Sequence, residues 1–171
     1  MPQKSILPNP IWKDAITVCR ELQTGNVSAE ELMQNVYDRI NFINPEVNAI
    51  VNLLPRKEAL DLARQAAKIP ITERGPLHGL PMAMKDSVAV KGFPTTVGFR
   101  PFAERIETQD SPLAERMRKA GVIFIGHTNM PEFGLGSNTF NSVFGATHNP
   151  YDLSKTAGGS SGGAAAALAT D

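Results

Sequence analysis

The chain has 171 residues, of which 42% are hydrophobic and 20% are charged, as in an ordinary soluble globular domain. Lysine plus arginine and aspartate plus glutamate number 17 each, so the formal net charge is zero and neither nucleic acid nor a membrane surface is indicated as a partner. No apolar run is long enough to cross a membrane, and Met1 to Ser5 lack the apolar segment of a secretory signal. A cytoplasmic location is expected, and Cys19, the single cysteine, excludes an internal disulfide.

Two amphipathic helices are predicted at the start of the chain. The first follows Pro10, ends at Gly25 and has apolar residues at helical spacing, namely Trp12, Ile16, Cys19 and Leu22. The second opens at Ser28, with Glu31 three residues later in the spacing of a capping box, and Pro45 is expected to end it. Its buried stripe consists of Leu32, Val36, Ile40 and Ile43.

A strand and a third helix are predicted next. The strand is indicated by alternating apolar residues, which are Val47, Ala49, Val51 and Leu53. Pro55 then begins the helix, whose inward-facing residues are Leu60, Ala63 and Ala66. Helices interrupted by a strand favour an α/β or α+β fold over a repeat array.

The middle of the chain is richer in turn residues. Residues 75–81 have the composition of a turn, and a short apolar run at 82–84 then meets Lys85. Another helix is predicted to begin at Ser111 and to stop at Gly121. The apolar residues that follow predict a buried strand, consisting of Val122, Ile123, Phe124 and Ile125. Residues 128–157 show little regular periodicity.

Glycines and serines fill residues 158–163 and run directly into the alanine-rich segment 164–169. A flexible linker seldom leads into a strong helix former, so we expect a loop that enters a helix and directs backbone N–H groups at a bound anion or oxyanion. A phosphate-binding P-loop would need a following Lys-Ser/Thr pair, and the glycines at 134–136 lack the third glycine of a dinucleotide fingerprint. The helical run has no visible C-cap before Asp171, which suggests a chain cut inside an element.

Lys85 and the three histidines are the next side chains that could take part in catalysis or metal binding. A lysine after an apolar run can be a surface residue, an ion-pair partner or a desolvated base. His78 and His148 have the surroundings of loop residues, His127 is interpreted as structural, and their spacing does not indicate a metal site. The sequence therefore favours a Ser-Lys arrangement over a Ser-His-Asp triad for nucleophilic catalysis.

Three segments resemble, in order and at similar separations, blocks of the amidase signature family. They are GPLHGLPMAMKD at 75–86, TNMPEFG at 128–134 and GGSSGG at 158–163. The NPYD sequence at 149–152 resembles a turn of the same family, and the helical opening resembles its N-terminal region. The likeness thus extends over nearly the whole chain.

The resemblance implies an α/β amidase signature fold, with a mixed β-sheet sandwiched between helices. Residues 1–171 would be the N-terminal portion of a single domain of this kind. The family hydrolyses or transfers carboxamides through a Ser–cisSer–Lys relay, in which Lys85 corresponds to the basic lysine and Ser160, after a cis peptide, to the relay serine. Ser161 would be a supporting hydroxyl. The substrate-binding residues implied are Gly134, Gly136, Ser137 and Ser161.

The resemblance also sets the expected limits of this chain. The family's acylated serine and its oxyanion donors lie beyond the relay serine, past Asp171, so the 171 residues alone are expected to be inactive. The expected substrate is a small-molecule amide, with no metal or organic cofactor, and the oligomeric state stays open, a homodimer included. Three alternatives remain: the A subunit of a glutamyl-tRNA amidotransferase, a non-catalytic truncated product, and a nucleotide-binding domain.

Overall fold

The protein, described here from a computed structural model over residues 14–170, alternates helices with short strands. Within that range the α-helices are α1 (Ala15–Thr24), α2 (Ala29–Val47), α3 (Arg56–Ala67), α4 (Pro112–Lys119) and α5 (Gly162–Ala169). The strands are β1 (Ile50–Val51), β2 (Pro81–Lys85), β3 (Ile123–Thr128), β4 (Phe140–Asn141), β5 (Gly145–Ala146), β6 (His148–Asn149) and β7 (Asp152–Thr156). None of the helices in residues 14–170 has both the length and the apolar character needed to span a bilayer.

Helix α1 begins later than predicted, but it ends where the sequence indicated. Asp14 caps it by accepting a hydrogen bond from the Thr17 N–H at 3.0 Å, and Gly25 ends it in the left-handed conformation. The apolar stripe was wrong at Ile16, which is 65% exposed, because the buried face is centred on Val18 and Leu22 and Ile16 projects beside it. Cys19 is buried as predicted, and Trp12 lies outside the described residues.

Helix α2 confirms the predicted cap but not the predicted end. The Ser28 hydroxyl accepts a hydrogen bond from the Glu31 N–H at 3.0 Å. Pro45 lies inside the helix, which continues to Val47 and ends at Asn48. The Asn44 side chain explains this, because its carbonyl oxygen accepts from the N–H groups of residues 49 and 50 at 2.9 and 2.8 Å and so supports the chain just past the proline. Of the predicted stripe, Leu32 and Ile40 are buried and the other two residues are half-buried.

The predicted strand at 47–53 is reduced to β1, since Val47 belongs to the preceding helix. The predicted alternation in burial survives up to Val51, whereas Leu53 is only half-buried. Helix α3 begins directly after Pro55 as expected, and it buries Ala63 fully and Leu60 partly. Helix α4 has the expected Ser111 cap, whose hydroxyl accepts from the N–H of residue 114 at 3.3 Å.

The central sheet is mixed, with the strand order β1-β3-β2. Strand β2 runs parallel to β3, with Lys85 opposite Thr128, and β1 runs antiparallel to β3. Strand β3 is longer than predicted and is buried along its whole length. Its Ile123 and Ile125 side chains join a core formed with α1, α2 and α3, whereas Phe124 joins a second core with α4. The sheet is therefore covered by helices on both faces, which confirms the α/β class for this part of the fold.

The last third of the chain is irregular, as expected, apart from two short antiparallel pairs. Strand β4 pairs with β5, and β6 pairs with β7, which places His148 in a strand and corrects its prediction as a loop residue. Helix α5 does have a C-terminal cap, contrary to the sequence prediction. The Thr170 hydroxyl donates to the carbonyl oxygens of residues 166 and 167 at 2.9 and 3.0 Å, a detail of side-chain conformation that periodicity does not reveal. Asp171 lies outside the described residues.

Candidate active site

The site lies at the edge of the sheet where the parallel strands β2 and β3 both end. Lys85 is the last residue of β2, and it is aligned with Thr128, the last residue of β3. The first turn of helix α5 packs on the same edge, where the Gly163 N–H donates to the Asn129 carbonyl at 3.0 Å. The carboxyl ends of parallel strands are where open α/β sheets place their ligands. The fold therefore brings Lys85 next to the glycine-serine segment, although 75 residues separate Lys85 from Ser160.

Lys85 contacts two hydroxyl groups of that segment. Its Nζ lies 2.8 Å from Ser160 Oγ and 2.9 Å from Ser161 Oγ. Lys85 and Ser160 are half-buried, whereas Ser161 is exposed. We call these three residues the Lys–Ser cluster. Because both of these partners of Nζ are hydroxyls, a proton can move between nitrogen and oxygen along either contact.

The turn that carries the two serines is held by a neighbouring loop, residues 134–139. The peptide between Gly159 and Ser160 is cis, as the resemblance implied. The Gly159 N–H donates to the Ser137 carbonyl at 2.7 Å. A Cβ atom at position 159 would lie only 2.9 Å from the Gly136 carbonyl oxygen, so the close approach of the two backbones requires glycine there.

Thr139 fixes the turn on its other side, a role that sequence reasoning missed. Its buried hydroxyl donates to the Gly158 carbonyl at 3.0 Å and accepts from the Gly162 N–H at 3.1 Å. One side chain thus holds both ends of the segment that contains Ser160 and Ser161. A lone threonine in an irregular region carries no recognisable pattern, so only the fold reveals its role.

The predicted substrate-binding residues are not all at the same distance from the cluster. Gly136 and Ser137 are exposed, the Ser137 carbonyl accepts from the Gly159 N–H, and the Gly136 carbonyl oxygen lies where a side chain at position 159 would begin. Gly134 lies earlier in the same loop, where its N–H donates to the Pro131 carbonyl at 2.9 Å. The structure therefore brings Gly136, Ser137 and Ser161 to the serine turn, and it keeps Gly134 at the start of the loop.

A pair of polar residues, Asp86 and His127, lies on the buried side of Lys85. Asp86 and His127 are fully buried, and His127 Nδ1 lies 4.0 Å from an Asp86 carboxylate oxygen. Burial lowers the pKa of His127, which favours its neutral form, while the Asp86 charge acts in the opposite direction. His127 Nε2 lies 3.2 Å from the Val88 carbonyl oxygen. This agrees with the structural role predicted for His127. An aspartate directly after a short apolar strand was the signal that could have drawn attention to Asp86.

His78 is also buried, and burial together with the nearby Arg74 charge lowers its pKa. It lies in the turn at 76–79, as the sequence predicted. In the part of the chain that the structure describes, no three His, Cys, Asp or Glu side chains are grouped so as to hold a metal ion.

Comparison with known proteins gives consistent results. The family model described as Amidase matches residues 31–171. The chain is 40% identical over 159 residues to an acylamidase of Rhodococcus erythropolis, a match that covers 92% of this chain and 33% of the relative. It is 46% identical over 150 residues to the A subunit of the glutamyl-tRNA(Gln) amidotransferase of Salinispora arenicola, covering 85% of this chain and 30% of that protein. The chain thus spans about a third of the length of the curated relatives it matches.

A solved structure also matches the fold. The crystal structure of a bacterial aryl acylamidase of the amidase signature family superposes with a TM-score of 0.84 at 33% sequence identity. The superposition covers 92% of this chain and 33% of the acylamidase. Sequence and three-dimensional structure therefore indicate the same family.

Proposed function

Because the chain belongs to the amidase signature family, we propose that the protein containing it hydrolyses the C–N bond of a small carboxamide through an acyl-enzyme intermediate. The observation that carries the proposal is the contact of Lys85 Nζ with Ser160 Oγ at 2.8 Å. A lysine held against a serine hydroxyl is an arrangement that can remove and return a proton during acyl transfer. The 33% identity to an aryl acylamidase and the 40% identity to an acylamidase support the same reaction class.

In the proposed mechanism neutral Lys85 is the base and Ser160 is the proton relay. Lys85 accepts the Ser160 hydroxyl proton while Ser160 takes the proton of a second serine, whose oxygen forms a bond to the amide carbonyl carbon. The relay then returns a proton to the nitrogen as the C–N bond breaks. Water repeats the sequence on the acyl-enzyme. Every step is a proton transfer or an acyl transfer, so the proposal requires no cofactor.

The nucleophilic serine and the donors that stabilise the oxyanion are proposed to lie outside the 171 residues. The family resemblance implies this position, and within the described part of the chain the hydroxyls that bond to Lys85 Nζ are those of Ser160 and Ser161. We therefore expect the 171 residues alone to be inactive. Gly136 and Ser137, which flank the serine turn, are proposed to line the acyl site together with Ser161, and Gly134 to shape the same loop.

The experiment measures hydrolysis of p-nitroacetanilide, a simple aryl amide, by the complete protein that contains these residues. Lys85→Ala and Ser160→Ala should each lower kcat/KM by about 1,000-fold, within the range for loss of a general acid–base group. Matched controls are Lys57→Ala, on the exposed face of α3, and Ser142→Ala, at an exposed loop position. Both should retain wild-type activity. A folded Lys85→Ala protein with near-normal turnover on its best amide would contradict the mechanism.

A second candidate is supported by the 46% identity to the A subunit of a glutamyl-tRNA(Gln) amidotransferase. In that case the same cluster would release ammonia from an amide for transfer, and the protein would act with partner subunits. The two candidates differ in what the purified protein does alone. Turnover of simple amides without any partner supports the free amidase. Activity that depends on co-purified subunits supports the amidotransferase.

A further inference from the structure

Asp86 follows the proposed base directly, yet its carboxylate points into the protein rather than towards the serines. It is fully buried and accepts hydrogen bonds from the Thr96 N–H at 3.0 Å and from the Gly98 N–H at 3.3 Å, and the Thr96 hydroxyl oxygen also accepts from the same Gly98 N–H at 3.0 Å. The Thr96 hydroxyl also donates to the Asp86 carboxylate. The basic side chain at ion-pair distance, among residues 14–170, is that of His127, whose charged form is disfavoured by burial. Backbone and hydroxyl dipoles therefore hold this carboxylate, and a buried carboxylate is costly unless such donors surround it.

The Asp86 backbone binds the same turn as its side chain. Its carbonyl oxygen accepts from the Val97 N–H at 3.1 Å. Val97 has a φ of 48°, a left-handed conformation that a β-branched residue rarely adopts. Three successive residues, 96 to 98, are thus hydrogen-bonded to one aspartate. These bonds stabilise a turn in which Val97 adopts a backbone conformation that valine disfavours.

The 96–98 turn in turn holds the loop beside the serines. The Val97 carbonyl accepts from the Phe133 N–H at 2.8 Å. A Cβ atom at Gly98 would lie 3.0 Å from the Glu132 Cα atom, so the two segments are in close backbone contact. The loop then leads to Ser137, which accepts the Gly159 N–H. Hydrogen bonds from Asp86 to the 96–98 turn and from that turn to Phe133, the chain from 133 to 137, and the bond from Ser137 to Gly159 therefore connect Asp86 with the peptide preceding Ser160, whose hydroxyl contacts Lys85.

We propose that Asp86 is a positioning residue for the Lys–Ser cluster. Its buried carboxylate fixes the 96–98 turn, this turn holds the 133–137 loop, and the loop determines the position of Ser160 relative to Lys85. The inference rests on the proposed function. Asp86 does not touch the reacting atoms. Its contribution is alignment, and misalignment of about 1 Å by a distant change can cost about 100-fold in rate.

Thr96 gives a sharper test than Asp86, because the aspartate variant can simply fail to fold. Thr96→Val keeps the branched shape and removes the hydroxyl, whereas Thr96→Ser keeps the hydroxyl and removes the methyl group. The matched control is Thr95→Val, because the neighbouring Thr95 hydroxyl is also buried but has no hydrogen-bond partner among the described residues. All variants are made in the complete protein and assayed for kcat and KM on p-nitroacetanilide.

Positioning predicts a specific pattern across these variants. Thr96→Val should lower kcat by about 10- to 100-fold with KM within about threefold of wild type. Thr96→Ser and Thr95→Val should keep kcat within about threefold of wild type, and a folded Asp86→Asn protein should behave like Thr96→Val. If Thr96→Val retains normal kcat, or if Thr96→Ser loses as much as Thr96→Val, the hydroxyl–carboxylate contact does not position the cluster and the inference is wrong.

A readout independent of activity separates this inference from the proposed function. Amide hydrogen exchange of the peptide covering residues 158–165 should be about tenfold faster in Thr96→Val than in wild type, and unchanged in Thr95→Val. Unchanged exchange in Thr96→Val overturns the positioning role whatever the protein catalyses. Conversely, if the protein hydrolyses no amide but the exchange pattern is found, the proposed function fails while the structural coupling from Asp86 stands.

Discussion

Lys85 and Asp86 are adjacent in the chain and differ in almost every other respect. Lys85 is half-buried and contacts two serine hydroxyls, one of them on an exposed residue, whereas Asp86 is fully buried and its carboxylate accepts three hydrogen bonds from the 96–98 turn. Successive side chains along an extended chain point to opposite sides, so Lys85 reaches the serines and Asp86 is directed into the interior. The comparison suggests a division between a reacting side, which determines rate, and a supporting side, which determines both rate and stability.

The largest effect is expected on the reacting side. Lys85→Met removes the proposed base but keeps most of the side-chain volume, so kcat/KM on the best amide should fall by about 1,000-fold. The free energy of unfolding should change by less than about 1 kcal/mol, because the two hydroxyl partners can bond to water instead. Urea unfolding and amide hydrolysis are measured on the same samples, with the exposed Lys155→Met variant as the control. A loss of stability as large as the loss of activity would contradict the division.

A glycine next to the two serines should affect the free energy of unfolding. A Cβ atom at Gly162 would overlap the Thr139 hydroxyl and lie 2.7 Å from Thr139 Cβ. Gly162→Ala should therefore lower the free energy of unfolding by about 1–3 kcal/mol, even though alanine is the better helix former by about 1 kcal/mol. Gly158→Ala in the same turn is the control, because its nearest neighbour would be 4.0 Å away. Equal stability of the two variants in thermal unfolding would show that the turn can adapt.

The Thr139 hydroxyl should contribute a smaller amount. Thr139→Val leaves the Gly158 carbonyl and the Gly162 N–H without their partner, and the free energy of unfolding should fall by about 1–2 kcal/mol. Thr139→Ser keeps both hydrogen bonds and should recover most of that loss. Chemical unfolding of the pair measures the difference. If serine is no better than valine, the methyl group rather than the hydroxyl supports the turn.

The smallest expected effect is the pH dependence of the free energy of unfolding that the buried His127 causes. Burial lowers the folded-state pKa of His127 below the ordinary value of about 6.5, so the unfolded chain binds a proton first as the pH falls. Stability is therefore full well above the unfolded-state pKa of about 6.5 and declines as the pH falls through and below it. His127→Gln should reduce this slope, although His78 contributes with the same sign. Unfolding free energies at pH 7, 6 and 5 test it, and an unchanged slope would assign the pH dependence elsewhere.

The parts of the fold that sequence reasoning predicted correctly depend on local chemistry. Ser28 and Ser111 cap their helices as expected, and the apolar run after Gly121 is the buried central strand. The errors arose where the tertiary structure overrode a local sequence preference. Pro45 failed to end its helix because Asn44 supplies side-chain hydrogen bonds to the chain beyond it. Ile16 matched the helical period but lies outside the face that the core covers.

What the sequence by itself determined is the family and the identity of the three cluster members, because Lys85, Ser160 and Ser161 occur in motif blocks whose order and separation are properties of the chain. It also determined the turn and helix start around residues 158–163, since glycine and alanine composition acts locally. Only the tertiary structure decided that Lys85 contacts both serines, that Gly136 and Ser137 flank their turn, and that Asp86 and Thr139 hold the surroundings. These are contacts between residues far apart in sequence, and they depend on which side of a strand faces the core. A one-dimensional pattern does not encode that geometry in any single segment.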